Sequence, residues 1–184
     1  PIMEQSGYGD KNIVVWDHRS SCKSIAKGTF LEKMLVKDGV DHWSVENISD
    51  TLYSIENLAI GHSDFLSPIP VLWWRAVGHT QNVFTMETLI DMVAAKAGRD
   101  PIDYRLDLLK SGTKREHERF ANVIKVVRDF SGWEKGQRRG FAASYTFGTF
   151  LAVVADVSVS EKEVHIDRMF VAVDCGTAIN PDVI

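Results

Sequence analysis

Apolar positions in this chain follow a helical period in the middle and a strand period towards the end. From Gln81 to Ala97, Val83, Met86, Ile90, Val93 and Ala97 recur every three or four residues, supported by Phe84, Leu89 and Ala94. Gly98 stands where a left-handed residue closes a helix. Asp100 as N-cap, Pro101 at the first helical position and Asp103 at the third open a second helix that buries Ile102, Leu106 and Leu109 before Ser111-Gly112 stops it. Between Lys114 and Ser131, Phe120, Val123, Ile124, Val127 and Phe130 form one stripe, with Gly132 at its end. The pattern predicts helices over 81–97, 100–110 and 114–131, with Leu89, Ile90, Val93, Val123, Ile124 and Val127 in the core.

Beyond Trp133 the basic stretch Lys135 to Gly140 turns the chain into a β-rich part. Val153, Ala155, Val157 and Val159 alternate with Val154, Asp156, Ser158 and Ser160, and Val164, Ile166, Arg168 and Phe170 alternate on the return, around Glu161-Lys162-Glu163. An antiparallel hairpin of 150–159 with 164–173 is predicted. Gly140 to Gly148 lacks the spacing of a phosphate-binding glycine loop and precedes a strand, so it reads as a bulged strand with Tyr145 and Phe147 on one face. Asp174-Cys-Gly176 with Asn180-Pro181 reads as a strand ending in a turn.

The first 80 residues are less regular. A strand over 12–21 follows a Gly7–Asp10 turn, and 29–36 suggests a short helix with Phe30, Met34 and Leu35 inward, ended by Lys37-Asp-Gly39. Leu58–Ile60 is a strand candidate. Pro68 and Pro70 force extended backbone, and Val71-Leu-Trp-Trp74 reads as a buried strand or strand-like run. Three consecutive helices between strand groups predict a layered α+β fold, an antiparallel hairpin or sheet packed on about three helices, rather than a doubly wound parallel sheet. The expected division is a mixed β segment over 1–80, a helical layer over 81–132 and the hairpin over 133–184.

With 184 residues, 45% of them hydrophobic, the chain has material for one domain, or one and a satellite. A net charge of −4 from interspersed acids and bases carries no nucleic-acid footprint. No apolar run approaches the ~20 residues that span a bilayer. Cys22 and Cys175 belong to no Cys-x-x-Cys or Cys/His group, and the six histidines form no pair with metal-ligand spacing. His79 is the one beside a candidate site. The chain starts at Pro1 and stops just after Asn-Pro-Asp, inside continuing structure, so a fragment of a longer protein is expected.

The candidate site is Trp73-Trp-Arg-Ala-Val-Gly78-His-Thr-Gln81, which runs into the first long helix. Gly78 admits a sharp turn or a close ligand approach, and the unpaired N–H groups of a helix opening near Gln81 and Asn82 favour negative charge. The same residues also fit a core strand whose arginine reaches solvent.

This stretch, with Phe84, Glu87, Ile90-Asp91, Ala94-Ala95, Ala97-Gly98 and Asp100-Pro101, resembles the large, molybdenum-binding subunit of the xanthine dehydrogenase and aldehyde oxidase family. The branch it is most similar to is that of the isoquinoline 1-oxidoreductase beta subunit and its aldehyde dehydrogenase relatives. Trp16-Asp-His18-Arg19, Tyr53…Ile55…Asn57-Leu58, Arg139-Gly140 and Ala172-Val-Asp174-Cys-Gly176…Ile179-Asn180-Pro181 agree with that branch. The resemblance spans nearly the whole chain and is most specific between 68 and 109.

The resemblance implies a parent enzyme that oxidises an aromatic N-heterocycle or an aldehyde with water as the oxygen source. It implies a molybdopterin cofactor in the cytosine dinucleotide form, a [2Fe–2S] small subunit and a cytochrome c as electron partners, and a bacterial cytoplasmic or periplasmic setting. Carried over by position, Arg75, Gly78 and Gln81 hold or shape the cofactor side, and Trp73 and Val77 wall the substrate pocket. Many family members have an aromatic where Val77 stands, so the valine leaves room for a different substrate. The family's catalytic glutamate and glycine-rich cofactor loops have no match here, nor does the arginine some members place near 43–46. The chain alone is therefore expected to be inactive and cofactor-free. The alternative is a non-catalytic binding or assembly domain that keeps only the scaffold.

Overall fold

A computed structural model describes residues 2–6, 10–161 and 163–184. The expected turn over Gly7–Asp10 and the tip residue Lys162 fall partly or wholly outside them. The described residues form helices and mainly antiparallel sheets, the α+β class expected. They divide into two compact units, one of residues 1–51 and 55–89, the other of residues 52–54 and 90–184.

In the first unit β1 (Ile2–Ser6) pairs antiparallel with β2 (Asp10–Cys22). Trp16 and His18 are buried on one face of β2, and burial pushes the His18 imidazole below its ordinary pKa. The helix expected over 29–36 shrinks to α1 (Glu32–Leu35), with no buried residue, and Phe30 and Met34 face solvent. A local hairpin wins instead: β3 (Val36–Lys37) pairs with β4 (Val40–Asp41) around Asp38 and Gly39, both at positive φ, as a tight two-residue turn requires. β5 (Asn57–Asp64) then pairs parallel to β2, setting Trp16 opposite Leu58 and Ser20 opposite His62.

Asp41 is the buried anchor of this unit. Its carboxylate accepts from the Ser24 hydroxyl at 2.6 Å, from the amides of Ile25 and Ala26 at 3.1 Å, and from the Trp43 amide at 3.0 Å. Four donors on one buried carboxylate offset its desolvation and fasten 24–26 to the short 3-10 helix His42–Ser44.

Residues 71–74 form no strand. Val71, Leu72, Trp73 and Trp74 are irregular and exposed: the prolines at 68 and 70 withhold ladder donors, and the four residues pair with no strand among the described residues. The next helix, α2 (His79–Ala97), starts two residues before the expected Gln81. Its buried residues are His79, Asn82, Met86, Glu87, Ile90, Val93 and Ala94, so its first turn buries the polar His79 and Asn82 rather than Val83, and Leu89 is only half-buried.

In the second unit α3 (Pro101–Leu109) is capped as its sequence dictates: the Asp100 carboxylate accepts from the amides of Ile102 at 2.8 Å and Asp103 at 3.1 Å. The other Asp100 oxygen takes the Trp133 indole N–H at 2.9 Å. Arg105, wholly buried, donates to Asp91 at 2.6 Å and to the Pro101 carbonyl at 2.9 Å, under the Phe141 ring. α4 (Arg115–Ser131) buries Phe120, Val123, Ile124 and Val127 and ends on Gly132 in the left-handed region. Phe130, expected in that stripe, is 70% exposed and edge-on to Phe170. The basic stretch after it caps helix ends: Lys135 donates to the Gly98 carbonyl, and Arg139 to those of Ser131 and Gly132.

β6 (Arg139–Thr146), β7 (Thr149–Ser160) and β8 (Glu163–Asp174) make an antiparallel sheet, with the predicted hairpin paired from Phe150–Asp174 to Ser160–Glu163 and its register shifted by one residue between Asp156 and Val157. Phe147 and Gly148 form a tight turn at positive φ, so Phe147 projects into solvent instead of sharing a strand face with Tyr145. α4 covers the face of Phe150, Ala152 and Val154. The valines of the other face are left open, with Val159, Val164, Ile166, Met169, Val171 and Val173 all exposed. The alternation was legible, but both faces are apolar, and only the docking of α4 decides which is inside. Tyr53, Phe120, Phe150 and Tyr145 stack through the core, and Arg119 lies over Phe150 while pairing with both Asp174 oxygens at 2.8 and 2.6 Å.

Two stability outcomes follow from this packing. Ile124→Ala should destabilise the chain by about 2–5 kcal/mol in chemical denaturation, whereas Phe130→Ala should stay within about 1 kcal/mol. The Arg119 guanidinium and the Gly176 amide hold the Asp174 carboxyl down at about 2, from 3.8. A depressed carboxylate stabilises the fold above its ordinary value and loses that contribution as pH falls through the folded value. The Tm gap between wild type and Asp174→Asn should therefore narrow steadily as pH drops from 3.8 towards about 2.

Candidate functional site

The Trp73–Gln81 turn is built by short-range bonds. The Val77 amide donates to the Trp74 carbonyl at 3.1 Å, His79 to Ala76 at 3.0 Å, and Thr80 to Val77 at 3.3 Å. Val77, not Gly78, takes the left-handed conformation, with φ of 48°. A β-branched residue there is strained by about 1–3 kcal/mol and persists only where its surroundings impose it. Gly78 is needed for another reason. A Cβ on it would stand 1.9 Å from the Trp43 carbonyl oxygen and 3.2 Å from the Glu46 Cβ. The close approach is thus to the protein's own 43–46 segment.

That segment clasps the turn from behind. The Gly78 amide donates to Glu46 Oε2 at 3.1 Å, and His79 Nδ1 lies 3.5 Å from the same oxygen, both side chains being buried. The Asn82 amide donates to the carbonyls of Ser44 at 3.1 Å and Glu46 at 2.8 Å. The acidic group at this helix opening is therefore supplied by Glu46 itself, and the amides of His79, Thr80 and Asn82 find partners within the chain. Burial pushes the Glu46 carboxyl above its ordinary range, opposed by the Gly78 bond and by His79 and His42.

The outer side of the turn is open. Arg75 and Gln81 are exposed, and Val77 is half-buried. An open groove of about 340 Å³ runs along Cys22, Lys23, Trp43, Leu72, Trp74, Val77, Gly78 and Gln81. Lys23 fastens its rim by donating to the carbonyls of Ser67 and Ile69 at 2.8 and 2.7 Å. Of the residues singled out from sequence, Val77, Gly78 and Gln81 share this groove. Arg75 and Trp73 are not among its walls, and Trp73 packs edge-on against Trp43 at 5.1 Å.

Trp43, Glu46 and Asn82 were missed by sequence reasoning. Asn82 was detectable in principle, since a polar residue occupies the core line of α2. Glu46 was not, because nothing local to Ser44-Val-Glu46 marks it as a partner of residues some 30 positions away. Among the described residues no cluster of three or more His, Cys, Asp or Glu could hold a metal ion. His62 is fully covered between the Ser20 hydroxyl at 3.2 Å and Asp64 at 3.4 Å. No described helix is long and apolar enough to cross a membrane.

Two curated proteins are similar to this chain. The isoquinoline 1-oxidoreductase beta subunit of Brevundimonas diminuta is 29% identical over 133 residues, covering 66% of this chain and 16% of that protein. A nicotinate dehydrogenase subunit of Pseudomonas putida is 29% identical over 153 residues, covering 71% of this chain and 12% of that protein. The chain thus spans less than a fifth of the length of these relatives. No protein-family model matches it. The similarity to the isoquinoline 1-oxidoreductase beta subunit drawn from the residues is borne out.

Gly78→Ala should cost about 1–3 kcal/mol in chemical denaturation, because Trp43 backbone must move to admit the methyl group. Gly148→Ala, also a turn glycine but with nothing within 4 Å of its Cβ, should show only the penalty of its positive φ, about 1–2 kcal/mol, and leave Trp43 fluorescence unchanged.

Proposed function

We propose that this chain is a segment of the large subunit of a molybdenum hydroxylase, whose whole protein oxidises an isoquinoline-like N-heterocycle or an aldehyde with water as the oxygen source. The names of both relatives, an oxidoreductase and a dehydrogenase subunit, support an oxidoreductase parent with partner subunits. The observation that carries the site is the Trp73–Gln81 turn. It is clasped from behind by buried groups and open in front, the arrangement that a bound cofactor needs from a rigid wall.

The residues present fit molybdopterin on that side. Arg75 and Gln81 supply exposed donors for a polar, anionic cofactor, and no carboxylate is exposed between them. When bound, the cofactor supplies the two-electron oxidation of the substrate carbon. What this chain supplies is orientation: Arg75 and the backbone around it hold the cofactor's edge, while Val77 and the tryptophans beside it shape the substrate's approach. In this reading the cofactor is the cytosine dinucleotide form, and electrons leave through a [2Fe–2S] small subunit towards a cytochrome c. The chain alone, lacking a match to the catalytic glutamate and the glycine-rich loops, neither retains molybdenum nor turns over substrate.

In the assembled enzyme, Val77→Phe should leave molybdenum content intact and shift the ratio of kcat/KM between flat heterocycles and aliphatic aldehydes by about tenfold or more, since a pocket wall acts through differential transition-state binding. An unchanged ratio, or stoichiometric molybdenum in the purified 184-residue chain, would count against the reading.

A further inference from the structure

We propose that Glu46 is the positioning residue of the Arg75–Gln81 turn, holding its ligand-facing backbone from behind through the Gly78 amide. The proposal rests on the reading of that turn as the cofactor-facing wall.

Three observations converge on Glu46. First, the strained Val77, at φ 48°, directly precedes the glycine whose amide Glu46 holds at 3.1 Å. The turn's shape is not the one its sequence prefers, so something outside it must impose that shape. The second is the absence of room: at 1.9 Å from a would-be Cβ, the Trp43 carbonyl leaves Gly78 no freedom to drift towards 43–46. Glu46 pulls the amide inward while Trp43 stops it, and together they set the backbone position. The third is the second tether on the same residue, the Asn82 side-chain amide on the Glu46 carbonyl at 2.8 Å, which keeps Glu46 in step with the first turn of α2.

A buried acid is a poor choice for mere packing, because an apolar residue of similar volume would avoid the desolvation cost. The charged and titratable groups that face Glu46 are His79 on α2 and His42 and Asp50 on its own segment. The carboxyl is raised above its ordinary range, so folding favours its protonated form. Stability attributable to it is full in acid and falls as pH rises through the raised value. A glutamine, which keeps the acceptor oxygen and loses the charge, removes that fall.

The test compares wild type with Glu46→Gln and Glu46→Ala. In the 184-residue chain, hydrogen exchange of the Gly78 amide is followed by NMR and Tm is recorded against pH. Glu46→Ala should speed Gly78 exchange by about tenfold or more, the loss of the side-chain acceptor, while Glu46→Gln keeps the amide protected and flattens the fall of Tm with pH. In the assembled enzyme Glu46→Ala should lose molybdenum by elemental analysis and Glu46→Gln should retain it. Unaltered Gly78 exchange in Glu46→Ala overturns the positioning role. Should the alanine variant not fold, Glu46→Asp, which draws the carboxylate back by one methylene from the Gly78 amide, takes its place, and unaltered Gly78 exchange in it does the same. Faster exchange in Glu46→Ala with full molybdenum content instead overturns the cofactor-facing reading of the turn, and with it the ligand role of Glu46.

Discussion

Everything that can be said of the candidate site depends on the interlock between residues 41–46 and the start of α2. Asp41 collects four hydrogen bonds and fixes the 3-10 turn that presents Trp43 and Ser44. Asn82 then takes the carbonyls of Ser44 and Glu46, and Glu46 takes the amide of Gly78. Each link satisfies a buried polar group that would otherwise cost about 1–3 kcal/mol, so losing one partner strands the next. Polar bonds at defined distances hold a backbone far more narrowly than apolar contacts do. That narrowness is what allows Val77 to sit in a conformation that valine avoids.

The second unit is held by a different kind of force. α4 lays four apolar side chains on the face of Phe150, Ala152 and Val154, and stacked aromatics from Tyr53 to Tyr145 fill the space between. Cations tie down what the apolar contacts leave loose: Arg105 beneath Phe141, Arg119 over Phe150, and Lys135 and Arg139 on helix ends. Two of the three cations in the stretch after Trp133, Lys135 and Arg139, are thus engaged by the fold, and Arg138 is exposed. Because the sheet carries valines on its open face as well, its sequence alone is compatible with either face being covered.

Much of the helical part was legible because its signals are local. The Asp100 cap, Pro101, Gly98 and Gly132 are each read by their own neighbours, and the boundaries of the second and third long helices moved by a single residue. The errors share a cause as well. Phe30, Met34 and the run Val71–Trp74 were placed inside on hydrophobicity, yet they are exposed, since burial requires a partner surface that no local pattern guarantees. The same holds for Phe130 and Phe147, one at a stripe's edge and the other in a tight turn.

By itself, then, the sequence determined the ends of the second and third long helices to within a residue, that the last part is an antiparallel hairpin, and which known subunits the chain is similar to. Those properties are set by caps, periods and residue identities a few positions apart. Only the tertiary structure decided that Gly78 is required by Trp43 and not by a turn of its own, that Glu46 occupies the charge site at the opening of α2, and that Trp74 rather than Trp73 borders the groove beside Val77. The physical reason is distance along the chain: each of those facts is a contact between segments some 30 residues apart, and a buried polar pair leaves no trace in the sequence until both partners are brought together.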